Sequence, residues 1–417
     1  MPEPGSALFE TLRIGGLSVP GRVYKSATSE TRASREGFVT DELIAFYEPI
    51  AKGGTPLIIS GNMYVSRDGQ STVRMCGIDS DEKIPGLKRL AEAVHAHGSK
   101  IFVQLNHAGR QVIPHAVGLR EAVAPSRVKE LAQGTVPRAM RIDEIHRLIQ
   151  HFANAAARVK RAGFDGVQLH CAHGYLIGQF LTPHTNRRTD AYGGSFDNRL
   201  RFLKEIFHAT RAKVGNDFPI ILKMNGTDAL PLRHGLKNDE LVRIAEAMQQ
   251  EGIDAVEISV SHYESGFLVF RGSYFRFFMG FIESGLVGEL PLVRRWAIRL
   301  GWPIIALFGS LLWFRREGYN TRYARNFMQA LTIPVLSVGG FQKREAMQRA
   351  LDDGMCDAVS CARSFIADPL LYKHLQENTQ GPRCVFCNEC VGRVGASPVD
   401  CYHPKVRAQK DAMLGTE

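Results

Sequence analysis

The segment Phe164-Asp165-Gly166-Val167-Gln168-Leu169-His170-Cys171-Ala172-His173-Gly174-Tyr175 decides the fold. Residues 164–169 have the length and side-chain types of a buried strand. Two histidines three apart, and a tyrosine two further on, emerge from its end, and the apolar stretch 176–180 follows. An α/β barrel exposes its chemistry at this end of its strands. The imidazoles offer two hydrogen-bond donors for a substrate oxygen, and the phenol offers a proton.

Apolar runs of strand length recur on both sides of this segment, separated by stretches of helical period. They lie at 23–28, 56–64, 101–105, 166–169, 220–224, 255–260, 334–338 and 358–361. Between them run predicted helices over 41–52, 85–97, 142–162, 197–214, 239–250 and 343–353. In the third of these, Ile145, Leu148, Ile149, Phe152 and Ala155 share one face, the spacing of an amphipathic helix. Eight β-then-α units predict a closed parallel (β/α)8 TIM barrel. An open doubly wound sheet is the alternative, and the lack of a Gly-x-Gly-x-x-Gly opening a first helix counts against it. Two regions depart from a plain barrel. Residues 261–320, after the sixth strand, far exceed a βα loop of roughly two to six residues. The other is the cysteine-bearing tail. The expected organisation is a barrel over 1–382, including an apolar insert over 262–320, and a cysteine-rich tail over 383–417.

The chain has 417 residues, 44% of them hydrophobic and 23% charged, which excludes wholesale disorder. Met1-Pro2-Glu3-Pro4 lacks the basic and apolar pattern of a signal peptide. The eight cysteines are clustered too tightly for a secreted disulfide framework, so the cytoplasm is the expected compartment. The net charge of +10 is partly local, with Arg294, Arg295, Arg299, Arg315, Arg316, Arg322 and Arg325 in one stretch. No basic-aromatic RNA signature and no helix-turn-helix pattern accompanies it, so no nucleic-acid partner is expected.

The other strand ends carry polar residues. Gln104 ends the third strand and is followed by Asn106, His107 and Arg110; Lys223 lies in the fifth. Ser337-Val338-Gly339-Gly340 closes the seventh strand and Ala362-Arg363 the eighth. Glycines after strand seven beside an arginine after strand eight form the arrangement barrels use for phosphate, with a following helix N-terminus adding favourable field. A buried lysine demands an anionic neighbour. For Lys223 that neighbour is either a bound anionic ligand or a core carboxylate such as Glu257.

These residues carry a resemblance. The run 168–181 is similar to the strand-four signature of the Old Yellow Enzyme family of FMN-dependent ene-reductases. The continuation 186–195, with Asn198-Arg199, resembles the loop that follows that signature. Gln104-Leu105-Asn106-His107-Ala108-Gly109-Arg110 and Lys25-Ser26-Ala27-Thr28 match as well. The resemblance covers roughly 7–261 and 320–376 and is nearest to bacterial, 2,4-dienoyl-CoA-reductase-like members. It implies that Ala27, Thr28 and Asn62 line the flavin edge near O4 and N5, and that Gln104 hydrogen-bonds the pyrimidine side. It places Lys223 where the family has arginine or lysine at N1 and O2, against the charge of reduced flavin. Gly339, Gly340, Ala362 and Arg363 would hold the FMN phosphate. His170 and His173 would grip the carbonyl oxygen of a small enone or enoyl substrate, and Tyr175 would protonate its α-carbon. Thr28 stands near a position where some relatives carry a flavin-tuning cysteine.

The implied reaction starts with hydride from flavin N5 to the β-carbon of a conjugated alkene, with NAD(P)H as the reductant and ping-pong kinetics. Negative charge then builds on the carbonyl oxygen. Each donor aimed there is worth about 3 kcal/mol, and general acid help from the phenol about 10²–10⁴-fold. A metal on the His-x-x-His is not expected, because no His-x-His on the first strand completes the ligand set.

Cys384, Cys387, Cys390 and Cys401 form a C-x2-C-x2-C…C pattern. Such thiolates ligate a [4Fe–4S] cluster or zinc, or stay as reduced thiols. Dienoyl-CoA-reductase relatives have a similar cluster site. Residues 300–314 contain no charged residue and are followed by Arg315-Arg316. They fall short of the ~20 residues that cross a bilayer. Trp and Phe flanked by arginine suggest a monotopic segment over 300–316, peripheral on the cytoplasmic membrane and feeding an apolar substrate to the flavin. A lid or a homo-oligomer contact is the competing reading. Two further functional readings stay open: an Fe–S flavoprotein reductase or demethylase-like enzyme, and a flavin electron-transfer component without its own alkene.

Overall fold

Side chains in a barrel strand alternate between the barrel interior and the surrounding helices. In the computed structural model, which describes residues 6–230, 233–268, 270–285, 292–311 and 317–415, that alternation builds the site. Eight parallel strands close in chain order: β1 (Val23–Lys25), β2 (Leu57–Tyr64), β3 (Lys100–Asn106), β4 (Gly166–His170), β5 (Ile220–Asn225), β6 (Ala255–Ser259), β7 (Val335–Val338) and β8 (Ala358–Cys361). β8 pairs with β1 to shut the barrel. All eight predicted strands are present, with ends shifted by a few residues at most.

The barrel floor is apolar. Tyr24, Leu57, Ile59, Phe102, Ile221, Ala255, Leu336 and Ala358 meet there with Ile14 and Val19. The last two come from an N-terminal hairpin, Thr11–Ile14 paired with Leu17–Pro20, which plugs this end. Two residues further along each strand the same inward face turns polar. Phe102 gives way to Gln104 and Asn106, Ile221 to Lys223 and Asn225, and Ala255 to Glu257 and Ser259. Apolar below and polar above is what a barrel with chemistry at one mouth requires.

The helices α1 (Asp41–Lys52), α2 (Ile84–His95), α3 (Ile142–Arg161), α4 (Leu176–Leu181), α5 (Phe196–Val214) and α6 (Asn238–Glu251) form the outer ring as far as β6. α1 starts on a Thr40 hydroxyl that accepts from Leu43 N–H. Gly252, in the left-handed region at φ 102°, ends α6, as glycine does at little cost. α4 has no counterpart among the predicted helices. It is six residues long, wholly buried, and follows directly on Tyr175.

The long insert is helical: α7 (Tyr274–Glu283) and α8 (Leu292–Leu311). Leu312, Trp313, Phe314, Arg315 and Arg316, part of the expected interfacial segment, lie outside the described residues. Among the described residues no helix is long and apolar enough to cross a membrane. The chain continues through α9 (Thr321–Ala330), α10 (Arg344–Asp352), α11 (Arg363–Ala367), α12 (Leu371–Glu377), α13 (Glu389–Gly392) and α14 (Pro404–Leu414). The tail is strapped across the barrel. Val399 N–H donates to Glu30 O at 2.8 Å, and the Thr31 hydroxyl donates to Ser397 O at 2.6 Å.

β2 carries a bulge between Ile59 and Asn62, after which Asn62 pairs with Gln104. A bulge of this kind re-aims a side chain. Gly61 makes it fit, because a Cβ there would run into the Glu30 carboxylate and the Thr28 carbonyl. Replacing Gly61 by Ala is expected to cost roughly 1–3 kcal/mol through overpacking, measured by chemical denaturation. Parent-like stability would show that the Glu30 loop yields to the methyl group.

Candidate active site

β4 delivers His170 buried at the barrel mouth, and a tight turn returns His173 to the same place. His173 and Gly174 both lie in the left-handed region, at φ 59° and 74°. That is strained for a histidine and is found where a site over-determines the backbone. The turn stacks the two imidazoles edge to face, centroids 5.2 Å apart, and sets Tyr175 4.7 Å from His170. His173 Nε2 is 2.8 Å from the Ser259 hydroxyl. His170 Nδ1 accepts from Ala172 N–H at 3.4 Å, which leaves the ring proton on Nε2.

The electrostatics hold both rings neutral. Burial pushes His170 well below its usual range, helped by His173 and Lys223. Burial and the Lys223 charge take His173 down to about 3. Burial, with Tyr263 nearby, raises the Tyr175 phenol, against the opposing effect of its hydrogen bond with Asn62. The constellation at neutral pH is two neutral N–H donors and a protonated phenol.

Below it a hydrogen-bonded chain crosses the barrel. Gln104 Nε2 donates to Gln168 at 2.7 Å, and Gln168 Nε2 to Glu257 at 2.8 Å. Lys223 donates to Glu257 at 2.9 Å and to Ser26 at 2.8 Å, while Ser26 donates back to Glu257 at 2.7 Å. Lys223 thus has the core carboxylate that a buried cation demands. Ala27 and Thr28 follow Ser26, and Thr28 Oγ1 accepts from Lys25 Nζ at 2.8 Å. Asn106, inward at the level of His170, is buried with neither amide atom partnered.

The phosphate corner differs from expectation in one respect. Gly340 has φ 72°, and a Cβ on it would meet the Tyr319 ring at 2.9 Å, so the turn needs glycine, with Tyr319 packed against it. The start of the next helix is not free. Glu317 accepts from Gln342 N–H and Lys343 N–H at 2.8 and 2.9 Å. Donors for an anion must come from the glycine turn and from Ala362-Arg363 rather than from the start of α10.

Arg363 is half-buried and stacks on Phe386, 4.9 Å from the ring centroid. It also donates to Arg271 O at 2.8 Å and to the Asn388 side chain. Phe386 and Asn388 lie inside the cysteine run, so the tail grips Arg363. Cys384, Cys387, Cys390 and Cys401 line one cavity of about 20 Å³ with Arg363. All eight cysteines are free. Burial lifts Cys387 and pushes Cys401 up to about 12. Among the described residues no three Cys, His, Asp or Glu side chains converge as ligands of a single metal ion.

Sequence reasoning missed several residues here. Ser259 and Asn225 position His173, the latter accepting from its N–H at 3.2 Å. Glu264, just past β6, pairs with Arg110 and Arg233 at 2.9 Å and with His184 at 2.8 Å. It binds three other loops of the rim together. The alternation of inward residues along β5 and β6 is the signal that would have found Asn225 and Ser259.

The sequence profile described as the NADH:flavin oxidoreductase / NADH oxidase family matches residues 7–266. Over 389 residues the chain is 34% identical to an NADH oxidase of Thermoanaerobacter brockii, covering 92% of this chain and 53% of that one. An NADPH dehydrogenase of Listeria monocytogenes is 35% identical over 383 residues, 91% of this chain and 98% of its own. A 2-naphthoyl-CoA reductase solved with 2-naphthoyl-CoA superposes with a TM-score of 0.82 at 27% identity, covering 97% of this chain and 58% of that one. The chain spans about half the length of the first curated relatives it matches.

The neutral imidazoles carry a pH signature. Unfolded, histidines take up protons below about pH 6.5; folded, His170 and His173 do so only far lower. The unfolded state therefore binds more protons between about 6.5 and 3, and folding stability falls as pH drops through that window. The thermal midpoint is expected to decline below about pH 6.5, and to decline less in a His170→Asn, His173→Asn double variant. An identical pH slope in the variant would show that other groups carry the effect.

Proposed function

The chain belongs to the NADH:flavin oxidoreductase / NADH oxidase family, and on that premise we propose that it is an FMN-dependent NAD(P)H oxidoreductase that reduces C=C bonds conjugated to a carbonyl. The observation that carries this reading is the neutral histidine pair facing a protonated tyrosine at one barrel mouth.

The residues present fit FMN. Amides at Asn62 and Gln104, and Lys223 below the histidines, suit a pyrimidine edge. Asn106 lacks an internal partner. The Gly339-Gly340 turn with Arg363 suits a phosphate. Bound FMN would take hydride from NAD(P)H and supply it to the β-carbon of the alkene. His170 and His173 hold the substrate carbonyl oxygen and stabilise the charge that gathers on it. Both rings are neutral, and each neutral imidazole keeps one N–H to donate. Tyr175 delivers its proton to the α-carbon, and Asn62 positions the phenol. Lys223 is balanced by Glu257, so it adds direction more than net charge beneath the pyrimidine.

A second reading has its own support. Four thiols share a cavity against Arg363, and the C-x2-C-x2-C spacing of three of them suits the thiolates of a [4Fe–4S] cluster. Phe386 N–H points at Cys384 Sγ, 3.4 Å away, as amides do toward cluster sulfurs. The protein would then be an Fe–S flavoprotein of the dienoyl-CoA-reductase or demethylase-like kind. A pure electron carrier would have no use for Tyr175 and the imidazoles.

Tyr175→Phe is expected to slow oxidation of the reduced protein by an enone about 10²–10⁴-fold, with reduction by NAD(P)H unchanged, in stopped-flow measurements of each half-reaction. Equal rates of enone oxidation in both proteins would sink the alkene reading. Anaerobically purified protein is expected to contain iron and acid-labile sulfide, both lost on Cys387→Ser, with flavin absorbance retained. Iron-free protein would leave the tail as plain thiols.

A further inference from the structure

The insert buries one face of α8 and exposes an apolar face from Leu292 to Leu307. On the inner side Ile298, Trp302 and Ala306 pack against Tyr274, Phe277 and Phe278 of α7. On the outer side Leu292, Val293, Trp296, Leu300, Ile304 and Leu307 recur at three- and four-residue spacing. Val293 is 82% exposed, Leu300 75% and Trp296 59%. From Leu292 to Leu307 the helix runs about 23 Å at ~1.5 Å per residue, so this is a stripe and not a spot. Single exposed apolar residues are ordinary, but a continuous stripe marks a surface that is covered in use.

The chemistry of the cover follows from the rest of the helix. α8 carries Arg294, Arg295 and Arg299 and no acidic residue, within a chain of net charge +10. A second copy docked on this face would set side by side two helices that carry arginines and no acidic residue, with no countercharge from either. An anionic lipid surface suits both, with acyl chains for the stripe and negative headgroups for a helix whose only charges are positive. Tryptophan among aliphatic residues is the composition of a helix lying in that interface. The helix is also too weakly apolar to span.

The hairpin is fixed to the barrel. Arg276 of α7 pairs with Glu389 at 2.8 Å, Glu283 pairs with Arg393, and Ser273 N–H donates to Phe386 O at 2.8 Å. These contacts join it to the loop that grips Arg363. We propose that the outer face of α8 docks flat on an anionic phospholipid bilayer and holds this rim of the barrel beside the membrane.

The test uses the full-length chain and large unilamellar vesicles of phosphatidylcholine, with and without phosphatidylglycerol, in a flotation assay. The parent should float with the phosphatidylglycerol vesicles at low salt, bind at least about tenfold more weakly to neutral ones, and be released by high salt. A Trp296→Ser, Leu300→Ser, Ile304→Ser variant should lose at least about tenfold in binding to the anionic vesicles. Its circular dichroism and thermal midpoint should match the parent, since all three side chains are exposed. Failure of the parent to float with anionic vesicles overturns the proposal. So does a folded triple variant that floats like the parent. If the parent stays with the soluble fraction and forms a dimer that the variant abolishes, the face binds a second copy instead.

Discussion

A carboxylate without water governs this barrel. Glu257 is fully buried and accepts from Ser26, Lys223 and Gln168, which come from the ends of β1, β5 and β4. A buried charge left short of partners costs several kcal/mol, so these strands are held at one height. The same set spans the apolar floor and the chemical mouth. Lys223 lies in register with His170 on β4 and with Glu257 on β6, and its charge helps keep both imidazoles unprotonated. Burial keeps the site's imidazoles neutral, and the cation that satisfies Glu257 adds to that effect.

Much of this was legible in the sequence, for reasons that can be named. The strands stand out because a barrel strand is buried on both faces and reads as a short apolar run. His170, His173 and Tyr175 stand out because they fall within six residues at the end of such a run. Lys223 announced its need for an anion by type alone, and Glu257 lay at the matching position one strand on. α4 stayed hidden because six wholly buried residues have no helical period to show. Ser259, Asn225 and Glu264 stayed hidden because they act across the mouth on residues far away in the chain. Glu317 capping the segment before α10 replaced an expected phosphate donor, and only folding brings that carboxylate from the insert's end to the turn after β7.

The tail and the insert read as separate additions in the sequence but meet at one corner. Phe386 and Asn388 hold Arg363 from the tail, while Arg271 accepts from the same guanidinium at the root of the insert. α7 then packs on α13, with Gly280 and Gly392 admitting the close approach. Arg363 thus joins the barrel, the cysteine loop and the apolar hairpin, and the length of chain between these parts is why local pattern reading kept them apart.

The strap from the tail to the loop after β1 has a consequence for how the molecule comes into being. The Thr31–Ser397 and Arg32–Val399 hydrogen bonds link residues 366 and 367 positions apart, and the β8–β1 seam spans nearly as much chain. A ribosome adding about 5–20 residues per second makes β2 soon after β1, but releases β1 long before β8, its neighbour across the seam, exists. The first strand must therefore wait, that edge unpaired, until residues 358–361 have been made. Contacts of such long range close slowly and expose nascent edges meanwhile, so the polypeptide depends on shelter during synthesis more than a protein assembled from neighbouring hairpins would.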